Sequence, residues 1–196
     1  YENQQYIEDC NLANKYLEIG YDAGDCICSL WYAMFFCKPA NSELAKQFLP
    51  PVQELAEKGD IFAEYTLGIA HRNSLYREED NLGAVQHFLH AYQNKFYLAA
   101  GSIFLRYYRG DKPFQKDWVQ GELWAKEVLK YKCPKRVFDV AYMFISIEEY
   151  GCTDQNMQYS FYQKALELLE WLTELGHSEA PGLLGWMYKS GRGTEI

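Results

Sequence analysis

The sequence predicts an all-α fold: an α-solenoid in which antiparallel helix pairs stack into a right-handed superhelix. The first observation is a spacing that recurs about every 36 to 41 residues: a small residue, an apolar residue four positions later, a larger residue at eight, and often glycine at eleven. The second is that no stretch alternates apolar and polar residues over a useful length, so no strand is predicted. Such a period is typical of stacked small units, not of one closed core.

The spacing occurs about five times, in copies that start near residues 26, 63, 99, 140 and 180. Positions 0, +4, +8 and +11 share one helix face, so the small residue allows a neighbouring helix to approach and the larger residues fill the gap behind it. The two clearest copies are Ala180, Leu184, Tyr188, Gly191 and Ala99, Ile103, Tyr107, Gly110. We interpret residues 1–196 as a single repeat domain of about five units, preceded by a leading second helix at 4–19.

Turn and capping residues give the predicted helix boundaries. Pro50–Pro51 lack amide donors and should kink or restart the third helix. Gly59–Asp60 closes one unit and caps the next, and Asp117 with Gln120 resembles a capping box. After the leading helix, the predicted helices span 26–37, a segment beginning after Asn41 or Ser42, 61–73, 81–94, 97–109, 118–132, 136–150, 157–175 and 179–189.

The last copy carries a resemblance to a known family. Its sequence, Ala180-Pro-Gly-Leu-Leu-Gly-Trp-Met-Tyr-Lys-Ser-Gly-Arg-Gly, resembles the first-helix signature of the Sel-one-like (Sel1-like) repeat family, Ala-x-x-x-Leu-Gly-x-x-Tyr-x-x-Gly-x-Gly. This family is related to the tetratricopeptide repeats. Ala63-Glu-Tyr-Thr-Leu-Gly matches the first half of the signature, whereas the third copy has Phe104 where the family has glycine. The resemblance extends from about residue 4 to 193 and implies a concave surface lined by the first helix of each pair.

The resemblance also implies where a partner would bind. Offsets −1, +2, +6, +9 and +10 from each repeat start would face the concave surface, and in this chain they are rich in the aromatic and arginine side chains that dominate interface hot spots. The alternative is that some of these aromatics pack between repeats as core. The predicted partner-binding residues are Tyr32, Phe36, Tyr65, Arg72, Tyr108, Arg109, Tyr142, Tyr150 and Trp186.

Charge is unevenly distributed along the chain. The net charge is −8, of which residues 1–98 contribute −7, while residues 106–136 carry nine bases and four acids. An acidic half beside a basic stretch argues against a nucleic-acid partner, which favours one broad positive face. It suits a protein partner with its own charge pattern, although a solvated helix surface would look the same. No apolar run approaches 18 residues, so no membrane span is predicted.

Few residues form a pattern that is typical of a catalytic site or a metal site. His87 and His90 could touch one metal ion, but no third ligand is apparent and a solvated helix face is the favoured interpretation. Cys26 and Cys28 form a weak zinc signal, and no metal or cofactor is expected. Cys10 and Cys37 lie at equal distances from the turn near Gly24, so a helix pair could bring them together as a disulfide, although buried free thiols are favoured. We expect no catalytic residues and no enzyme activity.

The predicted function is capture of a specific protein partner in the aromatic groove, by a chain that is a monomer when unbound. The most specific version of this prediction is a bacterial immunity protein that neutralises a secreted effector toxin. The alternatives are an adaptor or scaffold that assembles a larger complex through its open ends, and a binder of cell-wall fragments. The missing initiator Met slightly favours a periplasmic or exported protein, whereas unpaired thiols suit the cytoplasm.

Overall fold

A computed structural model describes residues 2–35, 42–72, 81–110 and 115–194, with the backbone alone for residues 2–10, 42 and 81. These residues form ten helices and no strand. The helices are α1 (Glu2–Asp22), α2 (Cys26–Phe35), α3 (Ser42–Glu57), α4 (Ile61–Arg72), α5 (Asn81–Gln93), α6 (Ala99–Arg109), α7 (Trp118–Leu129), α8 (Pro134–Ile145), α9 (Gln155–Glu174) and α10 (Ala180–Ser190).

Each predicted repeat start lies in the first helix of a pair. The starts at 26, 63, 99, 140 and 180 fall in α2, α4, α6, α8 and α10. Helix α8 departs from the expectation, because it ends at Ile145 and residues 146–150 form turns instead of extending it to Gly151. Within the described parts of the chain, the helices from α1 to α5 pack in chain order, and so do the helices from α7 to α10, as a stack of pairs requires.

The expected restart of α3 at the double proline is wrong. The helix runs from Ser42 to Glu57 with Pro50 and Pro51 inside it. Both prolines lie on the exposed side of the helix. Water can therefore reach the carbonyl groups that lose their amide donors, which lowers the cost of keeping the helix continuous.

Local capping explains several helix ends. Asp60 Oδ1 accepts a hydrogen bond from Ala63 N–H at 2.7 Å and starts α4. Just before it, Gly59 has a φ of 93°, a left-handed conformation that glycine adopts without steric cost. Asp117 Oδ1 accepts from Gln120 N–H at 2.9 Å, but the Asp117 N–H donates to the Tyr107 carbonyl, so only half of the capping box forms.

The chain divides into two compact units, and each has its own core. The N-terminal unit contains α1 to α5 and the start of α6, up to Ile103. In it α4 and α5 run antiparallel: the later residue His71 of α4 lies beside His87, and the earlier residue Glu64 lies beside His90, further along α5. The fully buried Phe88 lies directly over Gly68.

The C-terminal unit contains α6 from Phe104 onward and α7 to α10. Helices α8 and α9 run antiparallel, with Phe144 against Phe161 at one end (ring centroids 4.7 Å apart) and Phe138 stacked on His177 at the other (4.6 Å). Tyr108 lies at the centre of this core and is fully buried. Its hydroxyl donates a hydrogen bond to the Met143 carbonyl, which satisfies the one polar group that the ring buries.

None of the helices in the described ranges is both long enough and apolar enough to cross a membrane.

Candidate interaction surfaces

In the N-terminal unit, the predicted partner-binding residues have different environments. Tyr32 is half-buried against Tyr21, and its hydroxyl donates to Glu18 at 3.0 Å. Tyr65 is buried between Phe88 and Phe96, so it belongs to the core and not to a surface. Arg72 is exposed at the end of α4. Phe36 and the predicted Cys10–Cys37 disulfide lie outside the residues whose side chains the structure describes.

In the C-terminal unit, Tyr108 is likewise a core residue, with 0% of its surface exposed. Tyr150 is half-buried, and its ring meets the edge of Tyr108 at 5.6 Å. Arg109, Tyr142 and Trp186 are exposed. Tyr65 and Tyr108 are therefore removed from the predicted surface, because rings of α5 and of the turn after it cover Tyr65, and rings of α7 and of the following repeat cover Tyr108. Partner binding by the exposed residues stays a prediction.

A continuous line of aromatic rings crosses the N-terminal unit. Phe35 lies 5.2 Å from Trp31, Trp31 stacks nearly parallel on Phe62 at 6.3 Å, and Phe62 meets Phe96 at 6.0 Å. We call these four residues the aromatic row. Phe35 is 43% exposed and Phe62 is 46% exposed, so the row presents apolar surface to solvent. Leu98, two residues after Phe96 in the sequence, is also exposed.

Two linked hydrogen bonds fix the orientation of Trp31 within the aromatic row. Trp31 Nε1 donates to Thr66 Oγ1 at 3.0 Å, and Thr66 Oγ1 donates to the Phe62 carbonyl at 2.8 Å. Thr66 is fully buried, so this link is protected from water. Because Trp31 is already held in place, a partner that docks on it loses little rotamer freedom at this side chain.

Phe96 reaches the row through a turn. Helix α5 ends at Gln93, Lys95 then adopts a φ of 70°, and the Phe96 N–H donates to the Ala91 carbonyl at 2.9 Å. This geometry folds the Phe96 ring back onto Tyr65, at 4.8 Å. The sequence offered no signal for it, because the left-handed position is a lysine and not the glycine that usually marks such a turn.

The C-terminal unit contains a cation–π cluster around Arg192. The Arg192 guanidinium is 4.7 Å from the Trp186 ring and 5.3 Å from the Tyr162 ring. Its Nη2 donates to Glu148 at 2.9 Å. Burial and the nearby Glu148 carboxylate raise the pKa of Tyr162. Trp186 is thus held on one side by a paired cation and is exposed on the other.

The two histidines suspected of binding metal have a different role. Glu64 Oε1 lies 2.9 Å from His87 Nδ1 and 3.0 Å from His90 Nδ1, so the carboxylate ties α4 to α5. His90 is exposed, as the solvated-face interpretation expected, whereas His87 is only partly exposed. A cavity of about 160 Å³ beside this cluster is lined by Glu64, His90, Asp60 and Asn94 among others. Among the residues described, no group of three His, Cys, Asp or Glu side chains could hold a metal ion.

Cys26 and Cys28 are free thiols. Burial, together with the neighbouring Asp25, raises the pKa of both. A raised pKa disfavours the thiolate, which is the form that binds zinc. Among the described residues, no third His, Cys, Asp or Glu side chain joins this pair in a group that could hold a metal ion.

The arrangement of helix pairs defines the class of fold, an α-solenoid. Seven solved chains match the structure. One is the crystal structure of a Sel1 repeat protein from Oxalobacter formigenes, with a TM-score of 0.59 and 21% sequence identity over 92% of this chain. The match covers 50% of that protein, so this chain spans about half of its length. The predicted Sel1-like repeat fold is confirmed.

No protein-family model matches the sequence, and no curated protein matches it significantly.

Proposed function

We propose that this chain is a non-catalytic repeat protein that binds another protein through the aromatic row of its N-terminal unit. The observation that supports the proposal is the row itself: four rings in unbroken contact, two of them more than two-fifths exposed. Exposed apolar patches on globular proteins usually mark interaction sites. Aromatic anchors held rigidly before binding are the side chains that contribute most to affinity. A Sel1-like repeat fold is compatible with this role.

The charge of the surrounding chain suggests the chemistry of the partner. Residues 1–98 carry 14 acidic and seven basic side chains. A partner that places an apolar anchor on the row and basic groups around it would therefore be attracted during approach and correctly oriented. A basic effector toxin fits this description, so the finer proposal is an immunity protein that covers and neutralises such a toxin.

The first experiment identifies a partner and tests the surface. The immobilised wild-type protein is used to capture binding proteins from the source organism, and the affinity of a captured protein is then measured by calorimetry. Removing one aromatic anchor costs about 2 kcal/mol of binding free energy, or about 30-fold in the dissociation constant. We expect this loss for Phe62→Ala. Tyr159→Ala, which removes a comparably exposed ring elsewhere, should bind like the wild type.

Equal affinity of the wild type and Phe62→Ala would refute the row as the binding surface. Circular dichroism of both variants must show native helicity, because Phe62 also packs on Trp31. The proposed role in neutralising a toxin has its own test. Expression of the captured protein alone should inhibit growth, and co-expression of the wild type, but not of Phe62→Ala, should restore it. A captured protein that is harmless would refute the neutralising role while leaving protein binding intact.

A further inference from the structure

A cavity of about 160 Å³ lies in the N-terminal unit, where the end of α3, the start of α4 and the end of α5 come together. Two buried alanines, Ala56 and Ala91, give it apolar walls. Its polar lining residues are Asp60, Glu64, His90 and Asn94. We call this space the acidic cavity. Apolar walls beside polar groups suit a long basic side chain, which has an apolar stem and a charged end.

The oxygens of the acidic cavity can accept further hydrogen bonds. His87 and His90 both contact Oε1 of Glu64, at 2.9 and 3.0 Å, and no residue in the described ranges contacts its Oε2. Asp60 uses Oδ1 to cap α4, which leaves its Oδ2. The Asn94 side chain donates through its nitrogen to the His90 carbonyl, so its Oδ1 can accept as well. Three acceptor oxygens are therefore available to a ligand that donates hydrogen bonds.

The charges around the acidic cavity favour a cation. The Glu64 side chain is only 13% exposed, so solvent and salt screen its charge less than at an open surface. Helices α3 and α5 both end beside the cavity, and the carbonyl groups at a helix C-terminus attract positive charge. The opposite charge at the start of α4 is met by Asp60. Lys58, close by in the sequence, is already paired with Glu54 at 2.7 Å.

The acidic cavity lies at the same end of the α4–α5 pair as part of the aromatic row. Ile61 lines the cavity and directly precedes Phe62, and Asn94 lines it two residues before Phe96. The Phe62 and Phe96 rings are 6.0 Å apart, so the row and the cavity border each other. A partner segment that lies on the row can therefore reach the cavity with a neighbouring side chain.

We propose that the acidic cavity receives an arginine side chain of the protein that binds the aromatic row. This inference rests on the proposed function and adds a second anchor of defined chemistry to the partner. A guanidinium has five N–H donors in a planar fork and no acceptor, so one group can reach several of the three oxygens at once. Its methylene stem packs against Ala56 and Ala91. The partner therefore carries an apolar side chain for the row and an arginine close to it.

An NMR titration of the isotope-labelled chain with N-acetyl-arginine methylamide tests the acidic cavity without the partner. At low salt we expect saturable shifts of the Glu64, His90 and Asn94 amides, with a dissociation constant on the order of 1 mM for so small a ligand. The citrulline analogue has nearly the same shape but no charge, and it should bind at least about tenfold more weakly.

Two variants and a matched control locate the binding of this arginine probe. Glu64→Gln keeps an oxygen that can accept from the histidines but removes the charge, so probe binding should weaken about tenfold. Asn94→Lys, at an exposed position, brings an ammonium group of the chain itself to the cavity and should have the same effect. Glu43→Gln makes the same charge change at an exposed position of α3 and should bind the probe like the wild type.

The protein captured by the wild-type chain separates this inference from the proposed function. Glu64→Gln should weaken binding of the captured protein about tenfold, whereas Phe62→Ala should still bind the arginine probe, because Phe62 does not line the cavity. A probe that fails to bind, or a citrulline analogue that binds equally well, would overturn the inference. So would a Glu64→Gln variant that binds the captured protein as tightly as the wild type. None of these results changes the outcome of Phe62→Ala, which tests the row alone.

Discussion

The two signature glycines provide a matched pair of substitutions with opposite expected signs. Both lie in helices at the same repeat position, Gly68 in α4 and Gly185 in α10. Replacing a glycine inside a helix by alanine stabilises the helix by about 1 kcal/mol. At Gly185 the new methyl group meets nothing within 4 Å, so Gly185→Ala should retain most of that gain.

At Gly68 the new methyl group would lie 2.5 Å from Phe88 Cε1 and 2.7 Å from Cδ1. Phe88 is fully buried, so its ring cannot turn into solvent to make room. Overpacking of this kind costs about 1–3 kcal/mol, which outweighs the gain in helix propensity and leaves Gly68→Ala destabilised by about 1 kcal/mol. The two variants should therefore differ in stability by about 2 kcal/mol.

Thermal unfolding followed by circular dichroism at low protein concentration measures this difference. A change of 1 kcal/mol moves the melting temperature of a chain of this size by about 2–4 °C, so the two variants should melt about 4–8 °C apart. If Gly68→Ala is as stable as the wild type, the close packing of α5 on α4 is incorrect. If Gly185→Ala destabilises the protein, the open space beside Gly185 is incorrect.

Two further predictions concern the C-terminal unit. Tyr108→Phe keeps the ring but removes the hydroxyl that donates to the buried Met143 carbonyl, so urea titration should show a loss of about 1–2 kcal/mol with no change in helicity; an unchanged midpoint would contradict this hydrogen bond. Partial burial raises the pKa of Glu122, but hydrogen bonds from Lys126 and Lys164 outweigh it and hold the pKa below its usual value. The resulting stabilisation is present above the pKa of an unfolded glutamate and is lost as pH falls through the lower folded value. Glu122→Gln should therefore cost up to about 1 kcal/mol at pH 7, and the difference from the wild type should disappear in acid; a difference that persists at the lowest pH would refute the ion pairs.

The helical framework could be predicted from the sequence because its signals are local. Asp60 and Asp117 cap helices through bonds that span three residues, and Gly59 marks a left-handed helix end. The restart that was one of the two outcomes expected at Pro50 and Pro51 does not occur, for a physical reason. A proline removes a hydrogen bond wherever it occurs in a helix, but the cost depends on whether water reaches the freed carbonyl, and the sequence does not state which side of α3 is exposed.

The candidate surface was less predictable, because a helical repeat defines several faces and does not say which are covered. Tyr65 and Tyr108 lie at offsets +2 and +9 from their repeat starts, away from the small-residue face, yet both are buried. Phe62, at offset −1, is exposed and was among the positions expected to face the groove. A first helix is covered by its own second helix and by neighbouring pairs, as α8 and α9 cover Tyr108 of α6, so only a narrow strip stays open.

Trp31 and Phe96 could not have been placed in the aromatic row by repeat position. Trp31 lies at offset +5, outside the expected set, and joins the row because its indole donates to Thr66 of the next repeat. Phe96 belongs to a turn whose geometry depends on Lys95. Contacts between successive repeats depend on the tertiary structure, and so do turns that lack glycine. The residue pattern of a single helix therefore cannot predict either of them.

The measurement that tests the central claim most directly is hydroxyl-radical footprinting of the chain with and without its bound protein partner, because oxidation reports the exposure of individual aromatic side chains. We expect the partner to protect Phe35 and Phe62, while Tyr159 reacts as in the free chain. Unchanged oxidation of Phe35 and Phe62 in a fully formed complex would contradict the claim that the aromatic row is the binding surface.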